Sequence, residues 1–275
     1  MAASFIFTAF AGRNAAFALR LKRGAVLADV TSANIVGYQT ITAPAAGKYV
    51  SLSVQFDTLD AADKTVNDLF TYATGTPKGT PVYGTQADCL WLWDETLGDG
   101  AGNWAKFFYR PASKGFCAQG KTTLSTQVVP SGSTILFYRG TGAGAATLSL
   151  AGGVKPLKSA IVQSGLLAGK YRFMCYPWPV AFNVNKIAAC QKAPKGTPVY
   201  GTQADCVWIW DKTLGDGAGN WAKYFYRPAS KGYCLQGKTT LADVEIPAGE
   251  GFLFFRGTGG AEETITFKGP EYVEE

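Results

Sequence analysis

One stretch constrains this chain more than any other, because it occurs twice. Residues 78–124 read KGTPVYGTQADCLWLWDETLGDGAGNWAKFFYRPASKGFCAQGKTTL, and the same 47 residues return from Lys195 to Leu241, 117 positions on, with six changes. Leu90 becomes Val207, Leu92 becomes Ile209, Glu95 becomes Lys212, Phe107 becomes Tyr224, Phe116 becomes Tyr233 and Ala118 becomes Leu235. Five of these stay apolar or keep their size class, and Glu95 to Lys212 reverses a charge. A block written twice in one chain marks a unit of folding that is used twice.

The flanks repeat more loosely. Ala46-Gly47-Lys48-Tyr49 matches Ala168-Gly169-Lys170-Tyr171, and Val66-Asn67 matches Val184-Asn185. Ser32-Ala33 and Ile35-Val36 echo Ser159-Ala160 and Ile161-Val162. The duplicated unit therefore runs over residues 29–154 and again over 155–275, each long enough to bury a core. Residues 1–28 stand apart.

The patterning is that of strands. Ile35 to Thr42 is rich in β-branched residues. From Val50 to Phe56, Val50, Leu52, Val54 and Phe56 share one face with Ser51, Ser53 and Gln55 opposite, which predicts a half-buried antiparallel strand. Within the block, Cys89, Trp91 and Trp93 share one face and Leu90 and Leu92 the other, and Gly98 to Gly102 forms the loop to a returning strand from Trp104. Residues 134–139, 146–150, 251–256 and 264–267 read as further strands. One short helix is expected in the first unit, over Asp60 to Tyr72, with Val66, Leu69 and Phe70 on one side. With 33 glycines and 13% aromatic residues the expectation is all-β: two tandem antiparallel β-sandwich or small-barrel domains from an internal duplication.

Composition narrows the function. The chain has no histidine, which removes histidine triads, bases and metal ligands. No run approaches the roughly 18 apolar residues of a membrane-spanning helix. Arg13, Arg20, Lys22 and Arg23 lie in residues 1–28 with no acid, so the net +6 of the whole chain leaves +2 for everything after them. The folded part lacks a basic stripe, and no nucleic-acid partner is expected. Residues 1–28 end in Ala25-Val26-Leu27-Ala28, small residues as at a signal-peptidase site, although their charges lie mid-segment. They read as an atypical leader, a structured extension, or an apolar strand that docks on a neighbouring molecule.

Six cysteines are present. Cys89 and Cys117 recur as Cys206 and Cys234, so repeat symmetry selects the disulfides Cys89–Cys117, Cys206–Cys234 and Cys175–Cys190; the competing reading is six buried thiols.

The phrase Ala28-Asp29-Val30-Thr31-Ser32-Ala33-Asn34-Ile35-Val36-Gly37-Tyr38, the Trp-rich hairpin and the ending Ile246-Pro247-Ala248-Gly249-Glu250-Gly251-Phe252 resemble uncharacterised exported β-rich repeat proteins of the planctomycete–verrucomicrobial bacteria. The resemblance implies export and a β-rich fold. It implies no activity.

Three clusters could carry chemistry. Asp94, Asp99 and Asn103, with Asp211, Asp216 and Asn220, are oxygen donors on a glycine-rich loop and are candidate calcium ligands; the alternative is a hairpin loop that bonds its own backbone. Trp91, Trp93 and Trp104, with Trp208, Trp210 and Trp221, could stack on a glycan in two sites, or pack a core or an interface; the shared face with Cys89 favours packing. Asp88, Asp94, Glu95 and Asp99 invite a paired-carboxylate hydrolase, but Glu95 is Lys212 in the second copy. Lys106, Arg110, Lys223 and Arg227 lie beside the aromatic strand and could cover its rings. The expected function is a non-catalytic exported or cell-surface structural protein that self-assembles into a homo-oligomer or homopolymer: a filament, fibre or surface layer. A two-site carbohydrate-binding module and a virus or phage structural protein are the alternatives.

Overall fold

The computed structural model describes residues 36–57, 64–81, 84–98, 102–156, 159–198, 201–215 and 219–270. Residues 1–28 lie outside them. The first repeat holds β1 (Val36–Thr42), β2 (Tyr49–Ser53), β3 (Thr71–Thr74), β4 (Cys89–Asp94), β5 (Asn103–Arg110), β6 (Gly115–Ala118), β7 (Thr134–Tyr138) and β8 (Thr147–Gly153). The second holds β9 (Ala160–Leu166), β10 (Tyr171–Cys175), β11 (Phe182–Asn183), helix α1 (Lys186–Cys190), β12 (Cys206–Asp211), β13 (Asn220–Arg227), β14 (Gly232–Leu235), β15 (Glu245–Ile246), β16 (Gly251–Phe255) and β17 (Glu263–Lys268).

The fold is all-β, and each repeat is an antiparallel sandwich. The first repeat stacks a five-stranded sheet, β2-β7-β4-β5-β6, on a three-stranded sheet, β1-β8-β3. The second repeats the five-stranded sheet as β10-β16-β12-β13-β14 and covers it with the pairs β17-β9 and β11-β15. Leu90, Leu92, Phe107, Phe116 and Phe137 fill the first core against Leu148 and Leu150. Val207, Ile209, Tyr224, Tyr233 and Phe254 fill the second against Ile265 and Phe267. No sheet mixes strands of the two repeats; among the described residues the repeats share one isolated bridge, Ser133 with Met174.

Three expectations change. The described part of Asp60 to Tyr72 is not helical: Thr65 bridges Val128 and β3 begins at Thr71. Among the described residues the one short helix is α1 in the second repeat, directly after the matching Val184-Asn185. The strand β2 is not half-buried, because Ser51, Ser53 and Gln55 are as buried as Val50 and Leu52. The disulfides do not form, and all six cysteines are free. Register gives the reason for two of them. Phe108 pairs with Cys89 on one side and Cys117 on the other, and Phe225 stands likewise between Cys206 and Cys234. Two inter-strand spacings, roughly 9.5 Å, exceed the reach of a disulfide.

Both ends of each five-stranded sheet carry contacts from outside the sheet. At β6, Asn67 donates from Nδ2 to Phe116 O (3.2 Å) and Ser125 O (2.8 Å), and Phe116 N donates to Asn67 Oδ1 (2.7 Å). At β14, Tyr233 N donates to Asn185 Oδ1 (2.7 Å) and Asn185 Nδ2 donates to Ala242 O. At the opposite ends, β2 and β10 each finish against the other repeat. Ser53 N donates to Gly249 O (2.9 Å) and Cys175 N donates to Gly132 O (3.0 Å).

Candidate functional site

The duplicated block places its chemistry on two faces, and each does different work. The face of β4 bearing Leu90 and Leu92 enters the core of its own repeat, as Val207 and Ile209 do in β12. The opposite face carries tryptophan, and in both repeats it turns toward the other repeat. Trp91, Trp93, Trp104, Trp208 and Trp221 pack with Tyr49, Tyr171 and Phe173 around Leu136 and Leu253. The result is four layers, with the two five-stranded sheets face to face in the middle.

The contacts come in exchanged pairs. Trp93 meets Tyr171 at 5.8 Å between ring centroids, and its counterpart Trp210 meets Tyr49, the counterpart of Tyr171, at 5.8 Å. The backbone bonds at Ser53 and Cys175 exchange in the same way. Exchange of this kind is the signature of a two-fold contact, in which one patch meets a copy of itself. Phe173 lies between the copies, edge-on to Trp104 at 5.5 Å and to Trp221 at 5.9 Å. Gln55, read as a solvent-facing residue, donates from Nε2 to Tyr176 O and Trp178 O of the second repeat, both at 2.9 Å. The polar face of β2 is buried because this second sheet covers it.

Five of the six block substitutions sort by face; the sixth, Ala118/Leu235, is packed on the core in the first copy and exposed in the second. Leu90/Val207, Leu92/Ile209, Phe107/Tyr224 and Phe116/Tyr233 lie in the two cores, where the covering sheets differ. Tyr233 OH, for example, donates to Gln191 Oε1 (2.5 Å), a partner the first repeat lacks. Every tryptophan between the sheets is the same in both copies. The charge reversal lies at the rim. Glu95 takes a bidentate pair from Arg172 of the second repeat. The counterpart of Arg172 is Val50, and Lys212 turns instead to Glu250 at 2.6 Å.

The six tryptophans are half-buried; five pack in the shared cluster, and Trp210, against Tyr49 and Trp221, also lines two surface pockets. Trp93 Nε1 donates to Tyr171 O (2.9 Å); the buried Nε1 of Trp210 has no partner. Lys106 lies over Trp91 at 4.2 Å and Lys223 over Trp208 at 4.1 Å, so these cations cover the outer rings. Gly102 and Gly219, at φ 89° and 88°, sit against the rings of Trp93 and Trp210, where a β-carbon would lie 2.5 Å from the nearest ring atom.

The calcium candidates serve their hairpin. Asp94 Oδ1 accepts from Thr96 N (2.9 Å) and Oγ1 (2.6 Å), and Asn103 Oδ1 accepts from Trp104 N (2.8 Å). Asp211 and Asn220 repeat this with Thr213 and Trp221, and the Thr213 bonds hold the Asp211 carboxyl below its ordinary range. Asp99 and Asp216 lie outside the described residues. Among the described residues no three acids or cysteines converge as a metal site.

Asp88 is a buried tie. Fully buried, it accepts from Arg139 Nη1 (2.5 Å), Tyr72 OH (2.6 Å), Lys78 N (2.8 Å) and Gly140 N (2.8 Å). Asp205 does the same with Arg256, Gln191, Lys195 N and Gly257 N, and Glu263 adds a second carboxylate to Arg256 at 3.1 Å. Burial raises the Asp205 carboxyl and these bonds oppose the rise. The cysteines are equally occupied by packing: burial pushes the thiols of Cys89, Cys175 and Cys206 up to about 12.

Sequence reasoning missed Tyr49, Tyr171, Phe173, Arg172 and Gln55 as interface residues. A signal existed for two of them, since Tyr49 and Tyr171 close the repeated Ala-Gly-Lys-Tyr phrase. No helix among the described residues is long and apolar enough to cross a membrane. No protein-family model, curated protein or solved structure matches the chain.

Proposed function

We propose that this protein is a non-catalytic structural protein of the cell surface that assembles with copies of itself into a filament, fibre or layer. The observation that carries the reading is the use of the duplicated block. Both copies turn their tryptophan faces to each other, so the chain is already an internal two-fold assembly of its own repeat. The buried acids support the same reading, because Asp88, Asp205 and Glu263 hold loops and arginines in place. Export and surface location rest on the resemblance of residues 28–38, since the free thiols withdraw the disulfide argument. The ring-to-ring packing of the tryptophans supports a packing role ahead of the two-site carbohydrate-binding alternative.

Sedimentation of the purified full-length protein tests the proposal. Species well above the 29.2 kDa chain, growing with concentration, are expected. A single 29.2 kDa species at all concentrations would overturn it.

A further inference from the structure

Sheet edges are where one β-protein can pair with another, and several edges here are occupied. Asn67 and Asn185 occupy β6 and β14. The other repeat bonds the last residue of β2 and of β10. Gln191 bridges Ile265, and Lys192 N donates to Thr264 O, on the side of β17 away from β9. The edge strand β3 is four residues long.

The outer edges of β1 and β9 are different. Each is the last strand of its sheet and each is seven residues long. Their sequences, VGYQTIT and AIVQSGL, contain no charge and no proline, the devices that ordinarily protect an edge. Among the described residues no hydrogen bond reaches the outer side of β1, or of β9 at Ala160 and Val162; further along β9, Arg172 Nη1 donates to Ser164 O (2.5 Å) and Nη2 to Gly165 O (3.2 Å). Tyr38 on β1, at 69% exposure, and Val162 on β9, at 58%, are the two most exposed large apolar side chains of the described residues.

Register identifies the groups on offer. Ala43 N donates to Ala146 O, in phase with the β1–β8 pairing, so Gly37, Gln39 and Ile41 bond to β8 while Tyr38 and Thr40 point their N–H and C=O outward. Gly269 N donates to Ser159 O in phase with β17–β9, so Ile161 and Gln163 bond to β17 while Ala160 and Val162 point outward.

We propose that β1 of one molecule pairs antiparallel with β9 of the next, with Tyr38 opposite Val162 and Thr40 opposite Ala160. This rests on the self-assembly reading and names its contact. The register brings outward-facing backbone groups together at each pair and sets an aromatic ring beside a β-branched side chain, a favourable cross-strand combination. The three-stranded sheet of one molecule joins the β17-β9 pair of the next into a five-stranded sheet. Because the two edges differ, the contact is head-to-tail and propagates as a chain.

Thr40→Pro and Val162→Pro each remove an outward N–H and leave the bonds to β8 and β17 intact. By sedimentation, wild type is expected to polymerise and each variant alone to remain monomeric. The two variants mixed in equal amounts are expected to form a dimer and nothing longer, because each retains the edge the other lacks. That complementation also shows that both are folded; Tyr38→Pro and Ala160→Pro are the substitutes if either is not. Dimers of one variant alone would mean like edges pair and would overturn the proposal. Undiminished polymers of both variants would overturn it while leaving self-assembly standing. Wild type that stays monomeric would remove the self-assembly reading itself. Polymers lost on deleting residues 1–28 but kept in both proline variants would assign the contact to that segment and overturn the proposal.

Discussion

Glu95 of the first repeat grips Arg172 of the second, with Nε 2.5 Å from Oε1 and Nη2 3.0 Å from Oε2. The exchanged position in the interface holds Val50 and Lys212, where no such pair can form. A single ion pair thus accounts for the one charge reversal in the duplicated block. It also marks where the internal two-fold is broken.

That pair is partly exposed, so its worth is modest. A double-mutant cycle of Glu95→Gln and Arg172→Gln, read by urea unfolding, is expected to give a coupling of about 0.5–1 kcal/mol that weakens with salt. Glu95→Lys, which makes the first copy resemble the second, should cost more than Glu95→Gln. Equal effects of the two Glu95 variants would contradict the contact.

The broken symmetry gives a second comparison. Trp93 donates to Tyr171 O, while the buried Nε1 of Trp210 has no partner. Trp93→Phe leaves a carbonyl unsatisfied and Trp210→Phe does not. Chemical denaturation is expected to place Trp93→Phe about 1 kcal/mol below Trp210→Phe. The reverse order would count against the interface as described.

Asn67 and Asn185 each hold a sheet edge through both ends of the amide. Asn67→Ala and Asn185→Ala should each cost about 2–3 kcal/mol, from several buried or half-buried bonds lost at once. Thermal melts of the two variants should fall together. No loss in either would mean that these edges are held by something else.

The buried thiols set a pH dependence. Cys89, Cys175 and Cys206 ionise near 12 in the folded chain against an ordinary 9.0, because burial disfavours the thiolate. Above pH 9 the unfolded chain therefore holds fewer protons than the folded one, and stability falls as pH rises. Each such thiol contributes about 1.4 kcal/mol per pH unit in that range and nothing below it. Replacing Cys89 and Cys206 with Ala should flatten the decline of the urea midpoint between pH 9 and 11, and an unchanged slope would refute the assignment.

Much of the fold is legible in the sequence. The alternation of Leu90 and Leu92 with Trp91 and Trp93 identifies both faces of β4, and the glycine loop marks the hairpin. What misleads is any residue whose surroundings come from the other repeat. Ser51, Ser53 and Gln55 read as a solvent face because the strand alternates, yet a second sheet covers them. Cys89 and Cys117 look paired because they recur together, but recurrence does not reveal the strand between them. The helix follows Asn185 rather than Asn67 because the drifted halves of the repeats adopt different local structures at matching positions. The tryptophans were readable as a packing face. Which face they pack against depends on the long-range exchange of Tyr49 and Tyr171.

Electron microscopy of the native full-length protein tests the central claim most directly. Periodic assemblies, filaments or layers, built from one repeating particle the size of a single two-repeat chain, are expected. A field of separate, monodisperse particles of that size at high protein concentration would contradict it.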